Sequence, residues 1–123
     1  MIDSLKNLET DTDGLATYDY IVNHVETCAE VMPQLIENML KVDSTGQFLA
    51  STARFLAAVD RKTFEPWLAT LIEGAIDKDR ERKYIGSLLE ALWGPDYQKN
   101  SESLIKTDDN FRRIYKRIFS FGL

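Results

Sequence analysis

Apolar residues return along most of this chain at the three- and four-residue intervals of an amphipathic helix. Tyr18, Ile21, Val22, Val25, Ala29 and Met32 form one stripe and predict a helix over residues 15–32. Pro33 then either kinks that helix or sits in the first turn of the next, where its missing N–H costs nothing. Leu35, Ile36, Met39 and Leu40 make a second stripe that ends at "DSTG". Ser44 and Gln47 have the spacing of a capping box, so another helix is expected from about residue 45. Its inner face reads Phe48, Leu49, Thr52, Phe55, Leu56 and Val59. Thr63 is placed to cap the following helix, with Pro66 in its first turn and Phe64, Trp67, Leu68, Leu71, Ile72, Ala75 and Ile76 inward. Trp67 and Phe55 are the aromatic anchors expected in the core.

Asp77 or Asp79 opens the next helix, which carries Tyr84, Ile85, Leu88, Leu89 and Leu92. Gly94-Pro95 stops it, as a C′ glycine followed by proline should. Residues 95–107 read as a loop, with room for a short helical turn at "ESLI". Asp108 or Asp109 caps a basic final helix over 108–121, with Phe111, Ile114, Tyr115 and Ile118 inward. No stretch alternates apolar and polar long enough for a strand. The expected fold is a single all-α domain over 1–123, with an acidic N-terminal segment at 1–14 and five to seven helices packed as antiparallel hairpins.

Residues 33–60 and 66–94 echo each other. "PQLIENMLKVD" sits beside "PWLATLIEGAID", and "FLASTARFLA" beside "YIGSLLEALW". Each unit is a proline-containing helix, a short acidic turn and a second amphipathic helix. That pattern resembles a HEAT-type helical hairpin, and the resemblance implies stacked hairpins presenting an extended binding face. A solenoid needs about three units to bury its core. The flanking helices are therefore expected to act as caps.

A composition of 44% hydrophobic and 28% charged residues fits a packed core rather than disorder. The lone Cys28 excludes an intrachain disulfide or a thiolate cage. The N-terminal residues lack the basic-then-apolar pattern of a secretory leader, and no apolar run approaches the about 18 residues that span a bilayer. A cytoplasmic protein with no membrane partner is expected. The net charge of −5 is uneven: residues 1–43 hold 9 acidic against 2 basic residues, and the remainder holds 11 against 13. An acidic first third repels nucleic acid and favours a basic partner.

Candidate chemistry is sparse. "ETDTDG" counts as half an EF-hand loop, but the twelfth position is Tyr20, which cannot close the coordination shell. Asp11, Thr12 or Asp13 is instead expected to cap the helix that follows. His24 and Cys28 would share a helix face, yet nothing near them in sequence supplies an orienting group or an oxyanion hole, so they read as a half-buried thiol beside a histidine. Glu26 and Glu30 lie one turn apart without the Glu-x-x-His partners of a bundle metal site. No phosphate loop or nucleophile elbow occurs. Neither catalysis, a cofactor nor a metal is expected.

"KDRERK" interleaves Lys78, Arg80, Arg82 and Lys83 with Asp79 and Glu81, which keeps its local field small. "FRRIYKRIF" sets Arg112, Arg113, Lys116 and Arg117 opposite an apolar stripe. The expectation is a non-catalytic protein-binding domain whose acidic face (Asp11, Asp13, Asp19, Glu26, Glu30 and Glu37) meets a basic protein partner. In size, acidity and helicity the chain is similar to small bacterial immunity and inhibitor proteins, which implies a toxin or enzyme as that partner. The alternative is a nucleic-acid-associated regulator using the basic final helix, with nucleic acid the less favoured partner.

Overall fold

Six α-helices carry most of residues 8–119, the part of the chain that the computed structural model describes, and no strand forms among them. A 3₁₀ turn at Leu8–Thr10 precedes α1 (Leu15–Asn23). A second at Cys28–Val31 leads into α2 (Met32–Val42), which carries Pro33 in its first turn. Then follow α3 (Gln47–Lys78), α4 (Gly86–Trp93), α5 (Ser101–Thr107) and α6 (Asp109–Phe119). The fold is all-α and compatible with a helical-repeat arrangement. Residues 1–7 of the acidic N-terminal segment, and 120 and 121 of the expected final helix, lie outside the described residues.

The long α3 is the spine. It packs against α1, α2, α4 and α6, burying Leu49, Leu56, Leu71 and Ile76 completely. One residue breaks it: Asp60 is extended at φ −163° and ψ 79°, so residues 47–59 and 61–78 are two limbs of different direction. Gly74 lets α2 approach closely, since a Cβ there would stand 3.2 Å from Leu49 Cδ1 and closer still to Leu40 Cδ2. At the C-terminal end Phe111 is fully buried among Trp93, Tyr97 and Tyr115, with ring centroids 5.3, 6.3 and 5.4 Å away.

Several local expectations are corrected. The helix expected over 15–32 stops at Asn23, and His24 turns the chain before the 3₁₀ segment that buries Cys28. Apolar spacing survives that turn and hides it. Ser44 and Gln47 form no capping box: Gly46 is the N-cap, and the Gly46, Phe48 and Leu49 N–H groups go to Asp43. Thr63 does not cap; Asp60 accepts its N–H and its hydroxyl. Val59, expected inward, is 49% exposed because it is the last residue before the break. Phe55 and Trp67 are half-buried and pack on the margin of the core. The stretch expected as a loop holds α5 at Ser101–Thr107.

Candidate functional site

Three turns follow one design. In each, an aspartate carboxylate folds back onto the N–H groups that begin a helix, where orphan donors and the helix dipole both favour a negative charge. Asp43 accepts from Gly46 N–H through Oδ1, and from Phe48 and Leu49 N–H through Oδ2, each at 2.9 Å. Asp79 accepts from Lys83 N–H at 2.9 Å, Tyr84 N–H at 2.7 Å and Ile85 N–H at 2.8 Å. Asp11 accepts from Gly14 N–H at 3.0 Å and from the Thr17 N–H and hydroxyl at 2.9 and 2.7 Å.

Three residues after each aspartate the backbone turns left-handed: φ is 106° at Gly14, 85° at Gly46 and 59° at Arg82. The turns also stack. A Cβ on Gly14 would lie 3.3 Å from Asp43 Cβ, and one on Gly46 would lie 3.3 Å from Asp79 Cβ. "DTDG" at 11–14 is thus the first copy of a turn repeated at 43–46 and 79–82, and its acidic residues serve that turn. The signal that sequence reading missed is the Asp-x-x-Gly pair at 11 and 43, one helical hairpin apart.

These turns use some of the acidic candidates. Asp11 is committed to its cap. Burial raises its pKa, but the bonds from Thr17, Gly14 and Asp13 outweigh this and hold it below the ordinary value. Asp13 accepts from Leu15 N–H at 2.9 Å with its side chain in solvent. Asp19, Glu26, Glu30 and Glu37 are all exposed. They do not share one recess. Glu37 lies with Glu9, Gln34, Asn38 and Lys41, whereas Glu26 lies with Val25, Ala29, Val59, Asp60 and Phe64.

The basic residues sit differently. Lys78 Nζ donates to the Leu40 carbonyl, Arg117 to that of Ile76, and Arg61 to that of Leu92. Cations there meet the negative ends of helices. Arg113 pairs with Asp77 at 3.0 Å, and Arg112 pairs with Asp109 within α6. Lys116 is exposed. The four ion pairs of the described residues are Arg61–Glu65, Lys83–Glu81, Arg112–Asp109 and Arg113–Asp77, and none involves residues 8–43.

Cys28 and His24 sit in different environments. Cys28 is completely enclosed, and burial pushes its thiol pKa up, away from the reactive thiolate. His24 is exposed; its Nδ1 donates to the Tyr20 carbonyl at 2.9 Å while its ring stacks on Tyr20 at 4.2 Å. Among the described residues no three metal-ligating side chains gather, and no helix is long and apolar enough to cross a membrane. No protein-family model matches the chain, and comparison with curated proteins and with solved structures gives no match.

Proposed function

We propose that this chain is a non-catalytic protein-binding domain of HEAT-like stacked hairpins, acting as an inhibitor or immunity-type protein. Its partner is a basic protein, met by exposed Asp13, Asp19, Glu26, Glu30 and Glu37. The observation that carries the reading is the idle charge of the first third. The four ion pairs among the described residues all lie outside it, while α6 packs on α3, α4 and α5. An unneutralised acidic surface speeds encounter with a basic partner and loses that advantage as salt screens it. The recurring Asp turn supports the repeat reading, because it stacks successive hairpins in register.

The test is affinity capture from the source cells, run side by side with wild type and with Asp19, Glu26 and Glu30 all changed to lysine. Wild type should recover a basic protein that the triple variant leaves behind. Recovery of the same protein by both would overturn the assignment of the face.

A further inference from the structure

Two interruptions of helix border one recess. Val25, Glu26 and Ala29 lie on the stretch between α1 and α2, and Val59, Asp60 and Phe64 flank the break in α3. Together they line an open cavity of about 360 Å³. Phe64 is buried, and Val25 and Ala29 are half-buried against the core. Val59 is 49% exposed, the most open of the large apolar side chains among the described residues.

The same recess carries two carboxylates. Glu26 is exposed and enters none of the four ion pairs of the described residues. Asp60 accepts from the Thr63 N–H at 3.2 Å and from its hydroxyl at 2.7 Å, one bond to each oxygen. An ionised carboxylate has about four acceptor sites, so Asp60 keeps room for a further donor. The bonds from Thr63, with a smaller contribution from Lys62, hold its pKa below the ordinary value. Neither neighbouring cation lines the recess: Lys62 is exposed, and Arg61 is engaged with Glu65 and the Leu92 carbonyl.

Apolar walls beside two carboxylates match a side chain with a carbon stem and a cationic head. Arginine matches them better than lysine. Its planar guanidinium is weakly hydrated and presents five donors in a fixed fork, whereas an ammonium holds its water. Arginine is also among the residues that carry most of the binding energy at protein interfaces.

We propose that this recess receives one arginine side chain of a basic protein partner, its stem on Val25, Ala29 and Val59 and its guanidinium on Glu26 and Asp60. The proposal rests on the basic-partner reading and goes beyond it by naming the anchor. Glu26 then counts for more than the other exposed carboxylates of that face, and Val59 contributes without any charge.

The experiment is an amide NMR titration of the full chain with the capped tetrapeptide Gly-Arg-Leu-Gly, at about 25 mM salt. Two analogues replace its arginine with citrulline, which keeps the shape and loses the charge, or with lysine. The arginine peptide should shift the amides of Glu26, Ala29, Val59 and Thr63 to saturation. Citrulline should bind at least about tenfold more weakly and lysine about threefold. Glu26→Gln and Val59→Ser should each weaken the arginine peptide about threefold. Glu37→Gln, an equal charge change elsewhere on the face, should leave it unchanged. All three positions are exposed, and the amide spectrum reports the fold of each variant directly. Shifts spread over every acidic position, equal binding of either analogue, equal loss in Glu37→Gln, or no loss in Val59→Ser each overturn the anchor. Concentration-dependent broadening of the same amides without peptide would assign the recess to a second copy of this chain and overturn it too. The titration uses no partner, so its failure leaves the acidic face standing. Capture of the same protein by wild type and the lysine triple variant overturns the face itself.

Discussion

The two ends of this molecule handle charge in opposite ways. Around α1 and α2 the carboxylates that do not cap a helix stand in solvent, with no ion pair among the described residues. Around α4 and α6 several cations are tied into the fold, on the carbonyls of Ile76 and Leu92 or on Asp77. Net charge along the chain therefore says less than how that charge is used. The acidic end keeps its field, and the basic end spends part of its own on holding helices together.

That contrast sharpens if truncations at the C-terminal end cost stability while charge reversals at the N-terminal end do not. Phe111→Ala should be the most damaging change. It removes a fully buried ring that Trp93 and Tyr115 pack against, at a cost of about 3–5 kcal/mol in denaturant unfolding. A loss below about 1 kcal/mol would mean that α6 is not part of the core.

Asp43→Ala comes next, at about 2–3 kcal/mol, because it strands buried N–H groups of Gly46 and Leu49. A neutral result would remove the stacked turns as a source of stability.

Acid should act on the first turn. Asp11 has its folded pKa lowered from 3.8, since the hydrogen bonds to its charged form outweigh burial. Its contribution is therefore present above that value and lost as pH falls through the depressed one. Unfolding followed below about pH 4 should show a shallower acid limb in Asp11→Ala than in wild type, and identical limbs would contradict this account of the cap.

The smallest effect belongs to the reversed face. Lysine at 19, 26 and 30 should change stability by no more than about 0.5 kcal/mol per site and leave helicity intact, because these side chains are exposed.

Much of the fold was legible. The 3.6-residue period identified an all-α chain, Pro33 took the second of its two expected places, in the first turn of α2, and Gly94-Pro95 marked the end of α4. What local patterns missed were the places where the chain turns without a helix breaker. Nothing in "NHVET" forbids helix, and Val25 keeps the stripe going across a turn dictated by burial of Cys28 and Met32. The cap expected at Ser44 was displaced because an aspartate carboxylate reaches N–H groups five and six residues ahead, as Asp43 and Asp79 do, beyond the span of a capping box. Of the candidate site, the acidic bias was visible in composition. The meeting of Val25 and Glu26 with Val59 and Asp60 was not, because it depends on two places where helix breaks.

The central claim is that the acidic face drives association, and the rate of that association tests it most directly. Stopped-flow mixing of the captured partner with wild type should be fast at low salt and slow as salt rises. The Asp19, Glu26 and Glu30 to lysine variant should associate at least about tenfold more slowly at low salt. An unchanged rate in that variant, with the loss appearing instead on reversal of Arg112, Arg113 and Arg117, would place the binding surface at the other end of the molecule.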